Sequence, residues 1–305
     1  MSYALEINNL KKVYSGGTEA LKGISLKVNE GDFYALLGPN GAGKSSTIGI
    51  IGTLVTKTAG NVKIFGIDID EDVAIAKSML GVVSQEINFS QFEKVIDIVT
   101  TQAGFYGIKK SLAKPKVENM LKRLSLWDKR NDQARTLSGG YKRRLMIAKA
   151  LIHEPKLLIL DEPTAGVDIE LRQQLWAYIR KLNKYGTTII LTTHYLEEAE
   201  ELCDTIAIVD HGEIIRCAPT KEILSDADSK NITLILSKEY NDKSTIEKIG
   251  GVVDEDGNIS ISYNPKQETS RDILKKAEGA GLEVDDFSVT GASLETVFLS
   301  MTSKK

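Results

Sequence analysis

The residues best suited to chemistry form a glycine-rich segment with the spacing G-x-x-x-x-G-K-[ST]: Gly38, Pro39, Asn40, Gly41, Ala42, Gly43, Lys44 and Ser45. An apolar run precedes the segment and a stretch that can form a helix follows it, as a phosphate-binding loop requires. Glycine lets backbone N–H groups close around a β-phosphate, and the helix N-terminus adds partial positive charge. Lys44 can bridge the β- and γ-phosphates, and Ser45 can offer its hydroxyl to Mg²⁺. The flanking strand and helix disfavour the alternative, a glycine-rich turn with an incidental lysine.

A second candidate group is the carboxylate pair Asp161-Glu162, which directly follows the apolar run from Leu157 to Leu160. Sites in α/β proteins lie where the strands of a parallel sheet end. One carboxylate there suits Mg²⁺ held through water, and the next can polarise an attacking water. Taken alone, the pair is more typical of a solvated strand end. Together with the phosphate loop, it favours a hydrolytic site.

Alternating strands and helices are expected to position both groups. The continuous apolar runs that predict buried parallel strands are Phe33 to Leu37, Leu157 to Leu160, Thr188 to Leu191 and Ile206 to Val209. A helical pattern, carried by Leu171, Leu175, Tyr178, Ile179 and Leu182, separates the second run from the third. The predicted class is α/β with a mixed sheet core, and Asp210-His211-Gly212 is predicted to be a hairpin turn that closes it.

Two further layers are predicted around this core. Apolar and polar residues alternate in Leu5-Glu6-Ile7 and from Ile24 to Val28. This alternation predicts half-buried antiparallel strands that flank the first buried strand, in a β-layer over residues 1–30. Strand signals vanish between residues 90 and 135, which predicts a helical insertion. After Pro115, expected in the first turn, one helix has an apolar stripe of Val117, Met120, Leu121 and Leu124.

The pattern changes after residue 228. Strands and helices follow in the order βαββαβ, which is the split βαβ order of ferredoxin-like folds. Ser244 to Ile249 is the first predicted helix, and a last helix is predicted behind Ser293 as N-cap, with an apolar stripe of Leu294, Val297, Phe298 and Met301. We therefore expect a domain over residues 1–227, with a helical subdomain at about 90–153, and a small α+β accessory domain over residues 228–305.

Composition excludes several classes of function. With 39 Lys and Arg against 42 Asp and Glu among 305 residues, the formal net charge is −3, and no basic block indicates a nucleic-acid partner. Cys203 and Cys217 have no metal-ligand spacing, and they favour a reducing compartment. The apolar runs are shorter than the roughly 18 residues that a membrane span needs, so any action on a membrane is expected to need a partner.

Further motifs in a fixed order give a family resemblance over about residues 3 to 220. Leu137-Ser138-Gly139-Gly140 leads into a predicted helix between the phosphate loop and the carboxylate pair. With this motif the chain resembles the ATPase subunits of ABC transporters. The other matching positions are Tyr14 of the A-loop, Gly38 to Ser45 of Walker A, Gln85 of the Q-loop, Leu157 to Asp161 of Walker B, Glu162, Asp168 of the D-loop and His194 of the switch.

The resemblance implies a role for each position. ATP would be bound by Tyr14, Gly38, Pro39, Asn40, Gly41, Ala42, Gly43, Lys44, Ser45 and Ser46. Mg²⁺ would be held by Ser45, Gln85 and Asp161, and catalysis would involve Glu162 as general base with His194, Lys44 and Gln85. The ATP of a partner subunit would be bound by the signature residues Leu137, Ser138, Gly139 and Gly140. Tyr141 stands where many members have glutamine, and Lys142-Arg143-Arg144 is also compatible with a solvated helix face.

The resemblance also implies partners. One Walker A and no internal repeat require a homodimer or a second cassette, and a transmembrane permease would be engaged by the helical insertion. The tail of the chain looks like that of ABC-2-type exporters of drugs, lipids or polysaccharides, on the cytoplasmic face of the cell membrane. The alternatives are an importer ATPase, a soluble ABC ATPase acting on ribosomes or nucleic acid, and a C-terminal domain that senses a small molecule.

Overall fold

The computed structural model describes residues 2–226, 230–237, 246, 249–253, 257–265, 267–290 and 294–302. The chain divides into two compact units, residues 1–217 and 218–305. This division falls before the domain boundary that the sequence predicts at 227/228.

The first unit contains two sheets. Its strands are β1 (Tyr3–Val13), β2 (Glu19–Asn29), β3 (Phe33–Leu37), β4 (Ala59–Ile64), β5 (Ile67–Asp68), β6 (Leu80–Val83), β7 (Leu157–Asp161), β8 (Thr188–Thr192), β9 (Thr205–Asp210) and β10 (Glu213–Pro219). The antiparallel sheet has the order β2-β1-β4-β5, and the other sheet has the order β10-β9-β3-β8-β7-β6. The expectation that β1 and β2 flank β3 is wrong, because both lie in the other sheet, where β1 pairs with β2 and β4 and β4 pairs with β5. The strands β4 and β5 were not predicted from the sequence.

The second sheet is parallel from β9 through β6. All five residues of β3 and β8 are buried, as expected of strands covered on both faces. The turn His211-Gly212 joins β9 to β10, as predicted. Both sheets contribute to one hydrophobic core, in which Leu5 and Ile7 belong to the same cluster as Tyr34 and Ile159. The parallel register brings the carboxyl ends of β3, β8, β7 and β6 to one edge of the sheet.

Helices complete the first unit. They are α1 (Lys44–Ile51), α2 (Val73–Ser78), α3 (Val95–Phe105), α4 (Lys110–Arg123), α5 (Gly139–Leu151), α6 (Ile169–Lys184) and α7 (Leu196–Leu202). The predicted helical insertion at residues 90–135 contains α3 and α4, while a helical subdomain over about residues 90–153 stays a prediction. Among the described residues, no helix has both the length and the apolar character needed to cross a membrane.

The prediction for Pro115 is wrong in one detail. Pro115 lies inside α4, which begins at Lys110, rather than in the first turn. The carbonyl of Lys109 accepts the N–H groups of Leu112 at 2.8 Å and Ala113 at 2.9 Å, which starts the helix early. The proline removes one intrahelical hydrogen bond, and burial of Val117 and Leu121 offsets that loss.

The second unit has an antiparallel sheet with helices. Its elements are α8 (Thr220–Asp226), β11 (Lys230–Leu236), β12 (Gly251–Val253), β13 (Ile259–Tyr263), α9 (Ser270–Gly279), β14 (Val284–Thr290) and α10 (Leu294–Thr302). The strand order is β12-β13-β11-β14, and every neighbouring pair is antiparallel. This is the split βαβ arrangement that the sequence predicts, with β13 between β11 and β12. Most of the predicted helix Ser244 to Ile249, and the predicted cap Ser293, lie outside the described residues.

Buried and more exposed residues alternate along β11, and this pattern leads to a prediction about the stability of the second unit. Ile232 is fully buried in the core of this unit, whereas Ile235 on the opposite face is 43% exposed. Ile232→Ala should lower the free energy of unfolding of this unit by about 2–5 kcal/mol, because the truncation leaves a cavity. This loss can be measured by following amide hydrogen exchange in peptides from the second unit at increasing urea concentrations. Ile235→Ala is the control and should cost less than about 1 kcal/mol; equal losses would contradict the assignment of the two faces.

Candidate active site

The phosphate loop connects β3 to α1 by a path that only glycine permits. A Cβ atom on Gly38 would lie 2.2 Å from the carbonyl oxygen of Val209. Gly43 has φ +108°, and its Cβ would lie 2.7 Å from the carbonyl oxygen of Ala20. Both approaches are closer than any side-chain carbon tolerates, so the sequence pattern reflects contact of the loop with β9 and β2.

Lys44 is fixed at the mouth of this loop. Its side chain is 8% exposed, and its Nζ donates to the carbonyl oxygens of Gly38 at 2.6 Å and Pro39 at 3.0 Å. Burial lowers the pKa of Lys44, while the nearby carboxylates of Glu162 and Asp161 raise it. The loop therefore presents a positioned cation beside two carboxyl groups.

A cavity of about 740 Å³ lies at this edge of the sheet. It brings together residues from the phosphate loop, from the ends of β6 and β7, and from the segment after β8: Asn40, Gly41, Gly43, Lys44, Ser45, Ser46, Gln85, Asp161, Glu162 and His194, with Ala20. The predicted metal-binding and catalytic side chains thus share one cavity with part of the phosphate loop, whereas Gly38, Pro39 and Ala42 do not line it. A cavity of this size accommodates a nucleotide-sized ligand.

The two carboxylates have different surroundings. The Thr192 hydroxyl donates a hydrogen bond to Asp161, and burial raises the pKa of Asp161 against the lowering effect of that bond. The Oε2 atom of Glu162 accepts a hydrogen bond from Nε2 of Gln85 at 2.9 Å and lies 3.4 Å from Nδ1 of His194. Glu162 is therefore held between the Q-loop glutamine and the switch histidine.

The backbone of Glu162 has an uncommon conformation. Its φ is +47°, in the left-handed region that non-glycine residues occupy at a cost of order 1–3 kcal/mol. Its N–H donates to the carbonyl oxygen of Thr192 at 3.0 Å, which anchors the turn to β8. This turn directs the carboxylate into the cavity beside Asp161.

Tyr14 approaches the cavity from the end of β1. Its hydroxyl lies within hydrogen-bond distance of Oγ of Ser46, at 3.0 Å, and the Nζ of Lys12 lies 4.7 Å from its ring centroid. Tyr14 is partly exposed and does not line the cavity itself. The Ser46 contact places its ring at the start of α1, next to the phosphate loop.

The signature and D-loop residues lie on a different surface. Ser138 immediately precedes α5, which begins with Gly139 and Gly140, whereas Leu137 is buried. Ser138 and Asp168 line a depression of about 260 Å³ together with Tyr141 and Glu170. A single chain therefore does not bring the signature to its own phosphate loop.

Arg143 lies in the run Lys142-Arg143-Arg144, for which a solvated helix face is one of the alternatives. That alternative does not hold for Arg143, because its side chain is only 8% exposed. Arg143 shares one face of α5 with Met146, Ile147 and Ala150, and this i, i+3, i+4, i+7 spacing was the signal for burial. Its guanidinium donates to the carbonyl oxygens of Ser84 and Glu162.

Glu198 is a second buried ionisable residue that the analysis missed. It lies on α7, shortly after His194, and its Oε1 accepts hydrogen bonds from Oγ1 of Thr164 at 3.1 Å and Nε1 of Trp176 at 2.8 Å. Burial raises the pKa of Glu198. The carboxylate thereby joins α7, the segment after β7, and α6.

A separate groove of about 270 Å³ lies where the helical insertion meets the sheet. Leu54, which is 80% exposed, lines it with residues from β6, α3 and α5. His153 also lines it and stacks on Tyr106, with 3.6 Å between the ring centroids. His153 thus has a packing role here, away from the cavity.

Comparisons with known proteins agree with this geometry. A family model described as "ABC transporter" matches residues 21–165. The chain is 34% identical to the linearmycin resistance ATP-binding protein LnrL of Bacillus subtilis, with 98% of each chain covered. The chain belongs to the ABC transporter family. It is an ABC ATPase subunit, so its nucleotide is ATP and hydrolysis of that ATP drives transport.

Two further comparisons extend the match. The daunorubicin/doxorubicin resistance ATP-binding protein DrrA of Streptomyces peucetius is 34% identical, with 98% of this chain and 92% of DrrA covered. A dimeric ATP-binding cassette in a post-hydrolysis state bound to ADP and Pi superposes with a TM-score of 0.65 at 28% identity. That match covers 71% of this chain and 98% of the cassette.

The close approach at Gly43 gives a prediction for ATP binding. Gly43→Ala should weaken ATP binding at least about tenfold, because the added Cβ forces the loop away from Ala20. A tenfold loss corresponds to about 1.4 kcal/mol of binding free energy. Titration of the purified chain with ATP in a calorimeter measures the Kd. Gly31→Ala is the matched control, because Gly31 also has positive φ and open space around its Cβ position but does not line the cavity. The same loss in both variants would show that the close approach of Gly43 to Ala20 is not what weakens ATP binding.

Proposed function

We propose that this ATPase subunit hydrolyses ATP with Glu162 as general base and powers a membrane exporter. The observation that carries the catalytic proposal is the Glu162 carboxylate between Gln85 and His194, in the same cavity as Lys44. Glu162 accepts a proton from the attacking water, and His194 orients that water or the γ-phosphate. Lys44 stabilises the negative charge that develops during phosphoryl transfer.

The cavity also fits a magnesium ion beside the nucleotide. Ser45, Gln85 and Asp161 all line it, and their hydroxyl, amide and carboxylate oxygens are the donors that Mg²⁺ prefers. Within the described part of the chain, no group of three or more His, Cys, Asp or Glu side chains forms a site for a metal ion. This donor set suits an ion held jointly with phosphate oxygens and water, and such an ion neutralises charge on the phosphates.

A dimer of cassettes follows from the two separate surfaces. The signature surface of Ser138 and Asp168 lies apart from the phosphate cavity, and α5 presents its N-terminus behind Ser138. Backbone N–H groups at a helix N-terminus bind phosphate well. Each ATP is therefore held between Walker A of one subunit and the signature of another, in a homodimer or with a second cassette. The likeness to a dimeric cassette supports this assembly.

The direction of transport follows from the relatives. LnrL and DrrA are both named as resistance ATP-binding proteins, and both matches include the C-terminal unit. This chain accordingly serves an ABC-2-type exporter and is bound to the cytoplasmic face of the cell membrane by a transmembrane permease. The groove around Leu54 offers an exposed apolar contact for a helix of that permease.

The catalytic role of Glu162 gives a direct prediction. Glu162→Gln removes the proton acceptor but keeps the side-chain shape, so ATP binding should be retained while kcat falls by about 10²- to 10⁴-fold. Phosphate release at saturating ATP measures kcat. The control is Glu154→Gln, a surface carboxylate paired with Lys116 at 3.1 Å, which should leave kcat unchanged. Turnover of Glu162→Gln at the rate of the unmodified chain would exclude Glu162 as the base.

The transport role is tested by capture from membranes. Tagged Glu162→Gln chain, incubated with ATP and membranes solubilised in mild detergent, should bring down a polytopic membrane protein. Adding Leu54→Glu should abolish that capture without changing the Kd for ATP, because it replaces the exposed apolar side chain of the groove by a charged one. Tyr185→Glu is the control, since Tyr185 is similarly exposed at 79% and lies outside the groove. Capture of ribosomes or nucleic acid instead of a membrane protein would contradict the exporter function.

A further inference from the structure

Arg143 is a buried cation on the helix that follows the signature. Removing a charged guanidinium from water is costly unless hydrogen bonds and opposite charges compensate it. Its Nη1 donates to the carbonyl oxygen of Ser84 at 2.8 Å, and its Nη2 donates to that of Glu162 at 3.0 Å. The carboxylates of Asp161, Glu162 and Glu198 stabilise its charge and oppose the effect of burial, which lowers the pKa.

The two carbonyl groups belong to the segments that form the catalytic contact. Ser84 immediately precedes Gln85, and the Gln85 side chain donates to Glu162 at 2.9 Å. The Arg143 guanidinium therefore bridges the backbones from which both side chains of that hydrogen bond extend. The planar fork of arginine suits this arrangement, because its two terminal nitrogens can reach two acceptors at once.

Arg143 also acts on the left-handed conformation of Glu162. With φ at +47°, this residue needs surrounding contacts to hold it. The peptide group before Glu162 is anchored because the N–H of Glu162 donates to the carbonyl oxygen of Thr192 at 3.0 Å. The peptide group after Glu162 is anchored because its carbonyl oxygen accepts a hydrogen bond from Nη2 of Arg143 at 3.0 Å. The N–H of Ala165 also donates to this carbonyl, at 3.2 Å, so removal of the guanidinium weakens the second anchor and lets the carboxylate shift.

We propose that Arg143 is a positioning residue for ATP hydrolysis, which holds Gln85 and Glu162 at catalytic distance and links both to the signature helix. Arg143 is assigned no contact with ATP; it acts through the backbone at Ser84 and Glu162. Any displacement of α5 is transmitted to both side chains, because one guanidinium binds both carbonyls. This inference rests on the proposed role of Glu162 as general base.

Steady-state kinetics test the inference. Arg143→Gln should lower kcat by about 10- to 100-fold, the loss expected when a catalytic group moves by about 1 Å. The Kd for ATP should stay within about threefold, because the phosphate loop is untouched. Arg143→Lys reaches only one of the two carbonyls and should lose less than Arg143→Gln. Arg130→Gln is the control, since Arg130 also donates to a backbone carbonyl, that of Trp127 at 2.9 Å, but outside the cavity.

A double-mutant cycle separates positioning from a general structural role. If Arg143 acts through Glu162, Arg143→Gln should cost less than about threefold in kcat when Glu162→Gln is already present. The same 10- to 100-fold loss in both backgrounds would overturn the inference, as would unchanged kcat for Arg143→Gln in the otherwise unmodified chain. If Arg143→Gln does not fold, Arg143→Lys takes its place in the same cycle. Full turnover by Glu162→Gln alone would instead remove the proposed general base, so the two failures are distinguishable.

Discussion

The parallel register of the central sheet is the constraint on which the active site depends. Phe33 pairs with Ile189, and Leu157 pairs with Thr188, so β3, β8 and β7 run in step. Parallel strands place their carboxyl ends at one edge, and each of these ends carries one part of the chemistry. A slip of the register by one residue would turn buried side chains toward the opposite face and separate these parts. Because all five residues of β3 and of β8 are buried, such a slip would also require the closely packed side chains on both faces to repack.

Buried charges then set the electrostatics at that edge. Lys44 and Arg143 are both nearly inaccessible to water, and the carboxylates of Asp161 and Glu162 stabilise the charge of each. In an environment of low dielectric such interactions are stronger than in water. Each cation also donates to two backbone carbonyls, which compensates part of its loss of hydration. The two cations thus stabilise the loop segments to whose carbonyl groups they donate.

Sequence patterns predicted the parts of the structure that local chemistry specifies. The glycine spacing predicted the phosphate loop, and the apolar runs predicted β3, β7, β8 and β9, because continuous burial leaves a continuous apolar signal. The β4 and β5 strands were missed, since short strands with mixed burial give little periodic signal. The sequence left open whether Arg143 belongs to a solvated helix face, and only its position on the apolar stripe of α5 indicated burial. The partnership of Arg143 with Ser84 and Glu162 joins distant segments, and no local pattern contains it.

The conformation of Glu162 shows why the site depends on tertiary packing. A left-handed backbone at a non-glycine residue is unfavourable on its own, and the one local bond, from the Ala165 N–H to the Glu162 carbonyl at 3.2 Å, acts together with contacts from distant segments. Contacts from three separate segments stabilise it: the N–H bond to Thr192 of β8, the carbonyl bond to Arg143 of α5, and the side-chain bond to Gln85 after β6. Hydrogen bonds of this kind contribute about 0.5–1.5 kcal/mol each, comparable to the strain that they oppose. If Arg143 positions Glu162 as proposed, a shift of α5 would change where the carboxylate points, and the rate of hydrolysis would depend on the position of the signature helix.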